Sequence, residues 1–198
     1  REVINNIIPH VRPDIVHCND WMTGLIPAMA RRMGIPSLFT LHNIHSVKVL
    51  LEHIEETGID TSEFWQNLYY QSPPASYEQT RSSNPVDMLT SGIFASHWVN
   101  TVSPSFLAEI TQRQHLAIPS QVCDELLNKQ NAGFASGITN APDSSYNPSS
   151  DDALTCPFTA DNHADAKLIN KRSFQKQMGL VADDTAPLLF WPSRLDPI

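Results

Sequence analysis

Asp14-Ile15-Val16-His17-Cys18-Asn19-Asp20-Trp21-Met22-Thr23-Gly24 opens the stretch that decides the fold, and Ser37-Leu38-Phe39-Thr40-Leu41-His42-Asn43 closes it. Ile15-Val16, entered through Pro13-Asp14, is a short apolar run bounded by turn residues, which suits a buried strand. It gives way at once to the polar groups of His17, Asn19 and Asp20. Thr23 is placed to cap a following helix whose apolar face is Leu25, Ile26, Met29 and Met33. Gly34, with Pro36 beyond it, stops that helix. A second apolar run, Leu38 to Leu41, then ends in His42-Asn43. The pattern predicts strand, helix, strand. With parallel strands and a crossover helix, both outgoing strand ends open on one edge of the sheet, where ligands bind in folds of this class. His17, Asp20, His42 and Asn43 are therefore expected close together. One histidine after a strand ordinarily finishes a turn; two strand ends that each deliver His with an amide or carboxylate point to a site.

Outward from this unit, helices and strands alternate. Arg1 to Val11 is predicted helical, with Val3, Ile4, Ile7 and Ile8 on one face and a stop near Pro9. Val47 to Thr57 is predicted as a helix ended by Gly58, and the aromatic-rich Phe64 to Tyr70 as a short helix begun by Asp60 or Thr61. Gln71 to Asn84, with Pro73-Pro74 and several serines, reads as a long loop. Pro85 to Trp98 reads as a helix with Pro85 in its first turn, and Trp98 to Val102 as the third strand. Ser103 is a natural cap, with Pro104 at the first position of the next helix. Ser120 to Gln130 is a helix with Val122, Leu126 and Leu127 facing in, and Gly133 to Thr139 a weaker fourth strand ending at Asn140. Ala141 to Asp152 reads as a linker, Ala164 to Met178 as a basic helix stopped by Gly179, and Pro187 to Trp191 as a buried fifth strand ending in Ser193-Arg194. This order implies an α/β fold, a doubly wound parallel sheet of Rossmann-like type. Its strand ends carry His17 and Asp20, His42 and Asn43, Ser103, Asn140, and Ser193 and Arg194.

Composition narrows the function classes. Hydrophobic residues make up 41% and charged residues 17% of 198, an ordinary globular balance at a length that suits one to two domains. A net charge of −8 and a pI near 5.4 argue against a nucleic-acid binder. No apolar run approaches the ~20 residues that cross a bilayer, so no membrane is expected. The chain opens helix-like, without a secretory signal, and its three widely spaced cysteines form neither a zinc pattern nor a disulfide framework. A reducing, cytoplasmic setting is expected. Both ends look cut, which points to a piece of a longer protein. The chain has no Gly-x-Gly-x-x-Gly, no phosphate-binding P-loop and no Gly-x-Ser-x-Gly elbow. His42, His45 and Asp20 fit no regular metal motif, and no metal is expected. Arg194 carries a fork suited to phosphate.

His17-Cys18-Asn19-Asp20-Trp21-Met22-Thr23-Gly24-Leu25 resembles the His-x-x-Asp-Trp-x-x-Gly-Leu segment of bacterial glycogen and plant starch synthases. Thr40-Leu41-His42-Asn43 is similar to their Thr-x-His-Asn segment, and Val99-Asn100-Thr101-Val102-Ser103-Pro104 to the strand that leads to their Thr-Val-Ser-Pro turn. Ile138-Thr139-Asn140-Ala141-Pro142-Asp143 followed by Tyr146-Asn147-Pro148, then Asn170-Lys171-Arg172 and Pro192-Ser193-Arg194-Leu195, continue the likeness in the family's order over nearly the whole chain.

The resemblance implies a B-type glycosyltransferase of two Rossmann-like domains facing across a cleft. Residues 1–140 would be the later part of the first domain, 141–152 the crossover, and 153–198 the start of the nucleotide-sugar domain. Such enzymes move glucose from a nucleotide-glucose donor, ADP-glucose before UDP-glucose, to the non-reducing end of an α-1,4-glucan acceptor with retention, and need no metal or other cofactor. By the match, His42, Asp20 and Arg194 are the catalytic set, with Arg194 at the leaving diphosphate. His17, Trp21, Asn43, Ser103 and Asn140 would bind substrate. The chain departs from the family at Met22, at Ile44 to Lys48, and at Ala141-Pro142. The family's Lys-Thr-Gly-Gly-Leu loop would precede residue 1, so the chain alone is expected to be inactive. Two other readings stand beside this one: another nucleotide-sugar transferase of the same architecture, and a non-catalytic glucan-binding relative.

Overall fold

The computed structural model describes residues 1–193. Its contacts divide the chain into two units, Arg1–Asn140 and a second that begins at Ala141.

In the first unit a π-helical turn, Val3–Ile7, runs into α1 (Ile8–Val11). Pro9 lies inside this segment and does not stop it. Proline has no N–H to give, and the turn before it is already widened, with Ile8 N–H bonding to the Val3 carbonyl. The helix ends instead at Arg12, at φ 46°. β1 (Val16–Asn19) leads through a 3-10 turn, Trp21–Thr23, into α2 (Ile26–Arg32). Thr23 does not cap α2, because its hydroxyl turns back to the Asn19 carbonyl at 2.8 Å. Gly34, at φ 71°, ends the helix as expected, and β2 (Ser37–Leu41) follows.

The next segment departs from the sequence pattern. β3 (Lys48–Val49) pairs antiparallel with β4 (Val86–Asp87), so the helices expected from Val47 and from Pro85 begin later, as α3 (Leu51–Glu56) and α5 (Met88–Ala95). Between them, 3-10 turns at Thr61–Glu63 and Trp65–Asn67 precede α4 (Tyr77–Ser83). α4 occupies the stretch read as loop. Ser76 caps it through Gln79 N–H, and its Tyr77 hydroxyl and Arg81 guanidinium both donate to Glu55 of α3.

β5 (Trp98–Thr101), α6 (Pro104–Thr111), α7 (Ser120–Asn131) and β6 (Ala135–Gly137) complete the unit. The sheet is parallel throughout, in the order β1-β2-β5-β6, so every strand delivers its outgoing end to one edge. Cys18, Phe39, Leu41 and Val99 bury one face of it against Leu89 and Ile93 of α5, Leu107 and Ile110 of α6, and Val122 and Leu126 of α7. Leu127, expected inward, is exposed. Gly92 lets α5 come this close, since a Cβ there would stand 2.3 Å from the Phe39 ring. The other face carries a polar row: His17 bonds Thr40, which donates to Asn100.

In the second unit, 141–152 is a run of exposed turns. α8 (His163–Gln177) follows, ended by Gly179 at φ 67°. Two of its basic residues turn to the chain that follows: Arg172 pairs with Asp184, and Lys171 donates to the Asp184 carbonyl at 2.8 Å. Pro187–Trp191 is not a strand. A strand needs a neighbour for its N–H and C=O groups, and none pairs with it among the described residues, so Leu189 and Trp191 stand exposed.

Candidate functional site

The edge where β1 and β2 end is built around Asp20. Its N–H donates to the Thr40 carbonyl at 3.0 Å, carrying the β1–β2 ladder one residue further. Its side chain, only 7% exposed, accepts the His42 N–H on Oδ1 at 2.8 Å. One carboxylate thus fastens the ends of two strands. The backbone there sits at φ 55° and ψ 179°, a region used almost solely by glycine, at a cost of about 1–3 kcal/mol. Such strain persists only where its surroundings enforce it. Here the enforcement comes from the ladder on one side and from Thr23 N–H, bonded to the Asp20 carbonyl at 3.1 Å, on the other. Gly24 completes the turn, since a Cβ there would lie 1.9 Å from the Met88 carbonyl oxygen at the head of α5.

His42 follows β2 directly. Its main chain is held by Asp20, and its ring Nε2 lies 3.1 Å from Asn19 Oδ1. Asn43 turns its side chain onto its own loop, accepting His45 N–H at 2.9 Å. The His45 ring meets Trp21 edge-on at 5.7 Å. The far end of the loop is fixed by Ser46, which donates to Asp87 Oδ1 at 2.8 Å and accepts Leu89 N–H at 3.0 Å. Asp87, nearly buried, also accepts Thr90 N–H and so caps α5. The segment from His42 to Val47 is thereby tied to β1 at one end and to α5 at the other.

Of the residues expected here, Asp20, Trp21, His42 and Asn43 do gather at the edge. His17 does not sit at the strand end. β1 continues past it through Asn19, because Cys18 is buried in the core and the ladder to β2 is unbroken. Its ring instead reaches Thr40 Oγ1 at 2.7 Å, across the sheet. Trp21 is half-buried and packs against the core, leaving an edge for the loop. Ser103 stands at the outgoing end of β5, and its hydroxyl is taken by Phe106 N–H at 3.0 Å, which caps α6. Gly137, at the end of β6, admits this turn, since a Cβ would meet Pro104 at 2.3 Å. Asn140 lies exposed just beyond β6. Arg194 lies outside the described residues.

Asn19, Ser46, Thr40, Asn100 and Asp87 join the network, although none was expected as a site residue. Asp87, expected inside a helix begun by Pro85, instead caps α5 and holds Ser46. Below the edge, burial pushes the Cys18 thiol up to about 12, which keeps it protonated and inert. Among the described residues no three His, Cys, Asp or Glu side chains are arranged to hold a metal ion, and no helix is long and apolar enough to cross a membrane.

Residues 1–122, more than half of the chain, match the family described as starch synthase catalytic domain. The chain belongs to this family. Curated relatives extend the likeness past the matched region. A glycogen synthase of Syntrophotalea carbinolica is 32% identical over 193 residues, covering 93% of this chain and 37% of that protein. A glycogen synthase of Rhodospirillum rubrum is 35% identical over 188 residues, covering 92% of this chain and 36% of that protein. The chain therefore spans just over a third of the length of these relatives. Among solved structures, the catalytic domain of starch synthase IV from Arabidopsis thaliana, bound to ADP and acarbose, superposes with a TM-score of 0.64 at 24% identity, over 89% of this chain and 35% of that one. This superposition shows the same Rossmann-like fold.

Proposed function

We propose that the protein containing this chain transfers glucose from ADP-glucose to the 4-hydroxyl at the non-reducing end of an α-1,4-glucan, with retention of configuration and without a metal. The observation that carries this reading is the Asp20–His42 bond at the sheet edge, within segments shared with the starch synthase family. It fixes the His42 main chain, and with it the place from which the imidazole leaves the rim, as sugar hydroxyl recognition requires. ADP is preferred over UDP because a solved starch synthase of this fold was captured with ADP.

In this reading Asp20 acts by fixing the His42 main chain, since its Oδ1 is already engaged and its side chain is nearly buried. The His42 ring faces sugar, Trp21 and Asn43 brace the loop beside it, and His17 supports the site from within β1 through Thr40. Ser103 and Asn140 lie at the ends of the neighbouring strands on the same edge and complete the sugar-binding rim. Arg194 stabilises the diphosphate as the glycosidic bond breaks, because negative charge grows on its oxygens in the transition state. Residues 1–140 belong to the acceptor-side domain, 141–152 to the crossover and 153–198 to the nucleotide-sugar domain of a cytoplasmic enzyme. By itself the chain is expected to be inactive, since it spans little more than a third of its relatives.

The test gives the full-length protein ADP-glucose or UDP-glucose with glycogen and follows the new linkage by proton NMR. New α-1,4 linkages formed faster from ADP-glucose support the proposal. β-linkages, or glycogen binding without turnover, overturn it.

A further inference from the structure

The side chain of Asn19 bonds the ring of His42. We propose that Asn19 is a positioning residue for His42: its amide oxygen holds the imidazole as the Nε2–H tautomer and leaves Nδ1 as an acceptor for a sugar hydroxyl. This deepens, and rests on, the glycosyl-transfer reading of the same edge.

Asn19 Oδ1 lies 3.1 Å from His42 Nε2. An amide oxygen only accepts, so Nε2 must carry the hydrogen and, in the neutral ring, Nδ1 the lone pair. The lone pair accepts a hydroxyl hydrogen, and hydroxyls are what a glucan presents.

Orientation follows from what fixes the two backbones. Asn19 N–H donates to Thr23 Oγ1 at 2.8 Å, and the same hydroxyl donates to the Asn19 carbonyl at 2.8 Å. One threonine therefore clamps both polar groups of the Asn19 main chain, which explains why Thr23 is spent here and not as a helix cap. Asn19 lies opposite Thr40 in the parallel ladder, and His42 is two residues beyond Thr40, on the same face. The His42 main chain is fixed in turn by Asp20. With both Cα positions set, the remaining freedom is rotation of an exposed imidazole about its side-chain bonds, which the Asn19 bond removes. A preset ring needs no reordering when the sugar arrives.

The test uses full-length protein with 15N-labelled histidine, His42 being assigned by the signal lost in His42→Gln. In the parent, His42 Nε2 is expected to appear protonated and Nδ1 unprotonated. Asn19→Leu, similar in size but without an acceptor, should average the two signals and lower kcat roughly tenfold, the worth of about one hydrogen bond, with an unchanged melting temperature. Asn19→Asp keeps an oxygen at the same place and should restore both the parent tautomer and most of the rate. A parent ring protonated on Nδ1 would overturn the proposal. So would an Asn19→Leu protein that keeps the parent tautomer and rate. If the spectra change as expected while Asn19→Leu and His42→Ala both transfer glucose at the parent rate, the positioning stands and the transfer reading of this edge fails.

Discussion

Substitution of Asp20 separates two effects that the structure superimposes on one residue. Asp20→Ala deletes the acceptor of His42 N–H and leaves that partly buried donor unpaired, a loss of about 1–3 kcal/mol. It also leaves an L-residue at φ 55° and ψ 179°, so the strain remains. Asp20→Gly deletes the same acceptor but relieves about 1–3 kcal/mol of backbone strain. Glycine's extra freedom in the unfolded chain returns up to about 1 kcal/mol of that relief. The glycine variant should therefore be up to about 2 kcal/mol more stable than the alanine variant, although it has the smaller side chain. Asp20→Asn keeps Oδ1 and should stay close to the parent. Urea unfolding followed by tryptophan fluorescence reads the order, and hydrogen exchange at the His42 amide reads the bond. Protection should fall in the alanine and glycine variants alike and persist in the asparagine variant. An alanine variant more stable than the glycine variant would refute the strain. A His42 amide still protected in the alanine variant would refute the clasp.

Other outcomes follow from the packing and the titrating groups. Gly92→Ala gains up to about 1 kcal/mol of helix propensity but drives a methyl into the Phe39 ring, where overpacking costs about 1–3 kcal/mol, so a net loss is expected. Adding Phe39→Leu should recover part of it, and strictly additive losses would show that the two do not touch. Burial alone would raise the Glu55 carboxyl, but hydrogen bonds from Thr61, Tyr77 and Arg81, with the Arg81 charge, hold it below the usual carboxylate range. A carboxyl lowered on folding stabilises above its unfolded value, near 4.3, and that support disappears as pH falls through the folded value. Exchange of α4 amides, corrected for intrinsic rate, should rise below about pH 4 in the parent and be fast and pH-independent in Glu55→Gln. Of the three cysteines, Cys156 should react with a thiol reagent in the native protein, while Cys18, pushed up to about 12, and Cys123, also raised by burial, react only after unfolding.

The parts of this fold written in short-range chemistry were legible. Gly34 ends α2, Ser103-Pro104 opens α6, and the two apolar runs of the opening stretch are adjacent parallel strands. What escaped the sequence depends on partners far away in the chain. Val47 to Leu50 has the apolar spacing of a helix, but Val49 finds Val86 and becomes a strand. α4 is too polar to look helical until Glu55, outside it, takes the Tyr77 and Arg81 side chains. Pro187 to Trp191 has the composition of a buried strand, but composition does not supply the neighbour that a strand needs.

At the site, the residues matching the His-x-x-Asp-Trp and Thr-x-His-Asn segments were readable, and Asp20 and His42 do meet. Their division of labour was not. That Asp20 is a clasp, that His17 lies inside β1, and that Asn19 bonds the His42 ring are consequences of ladder register and of one strained dihedral, neither of which leaves a mark in local sequence.

If the rim where β1 and β2 end handles the transferred sugar, His42→Ala in the full-length protein must slow the initial rate of glucose transfer from ADP-glucose to glycogen, compared with the parent at equal fold stability. A fall of about a hundredfold or more is predicted, the loss expected when a group that acts in the transition state is removed. A rate within about twofold of the parent would mean that the sugar is handled elsewhere.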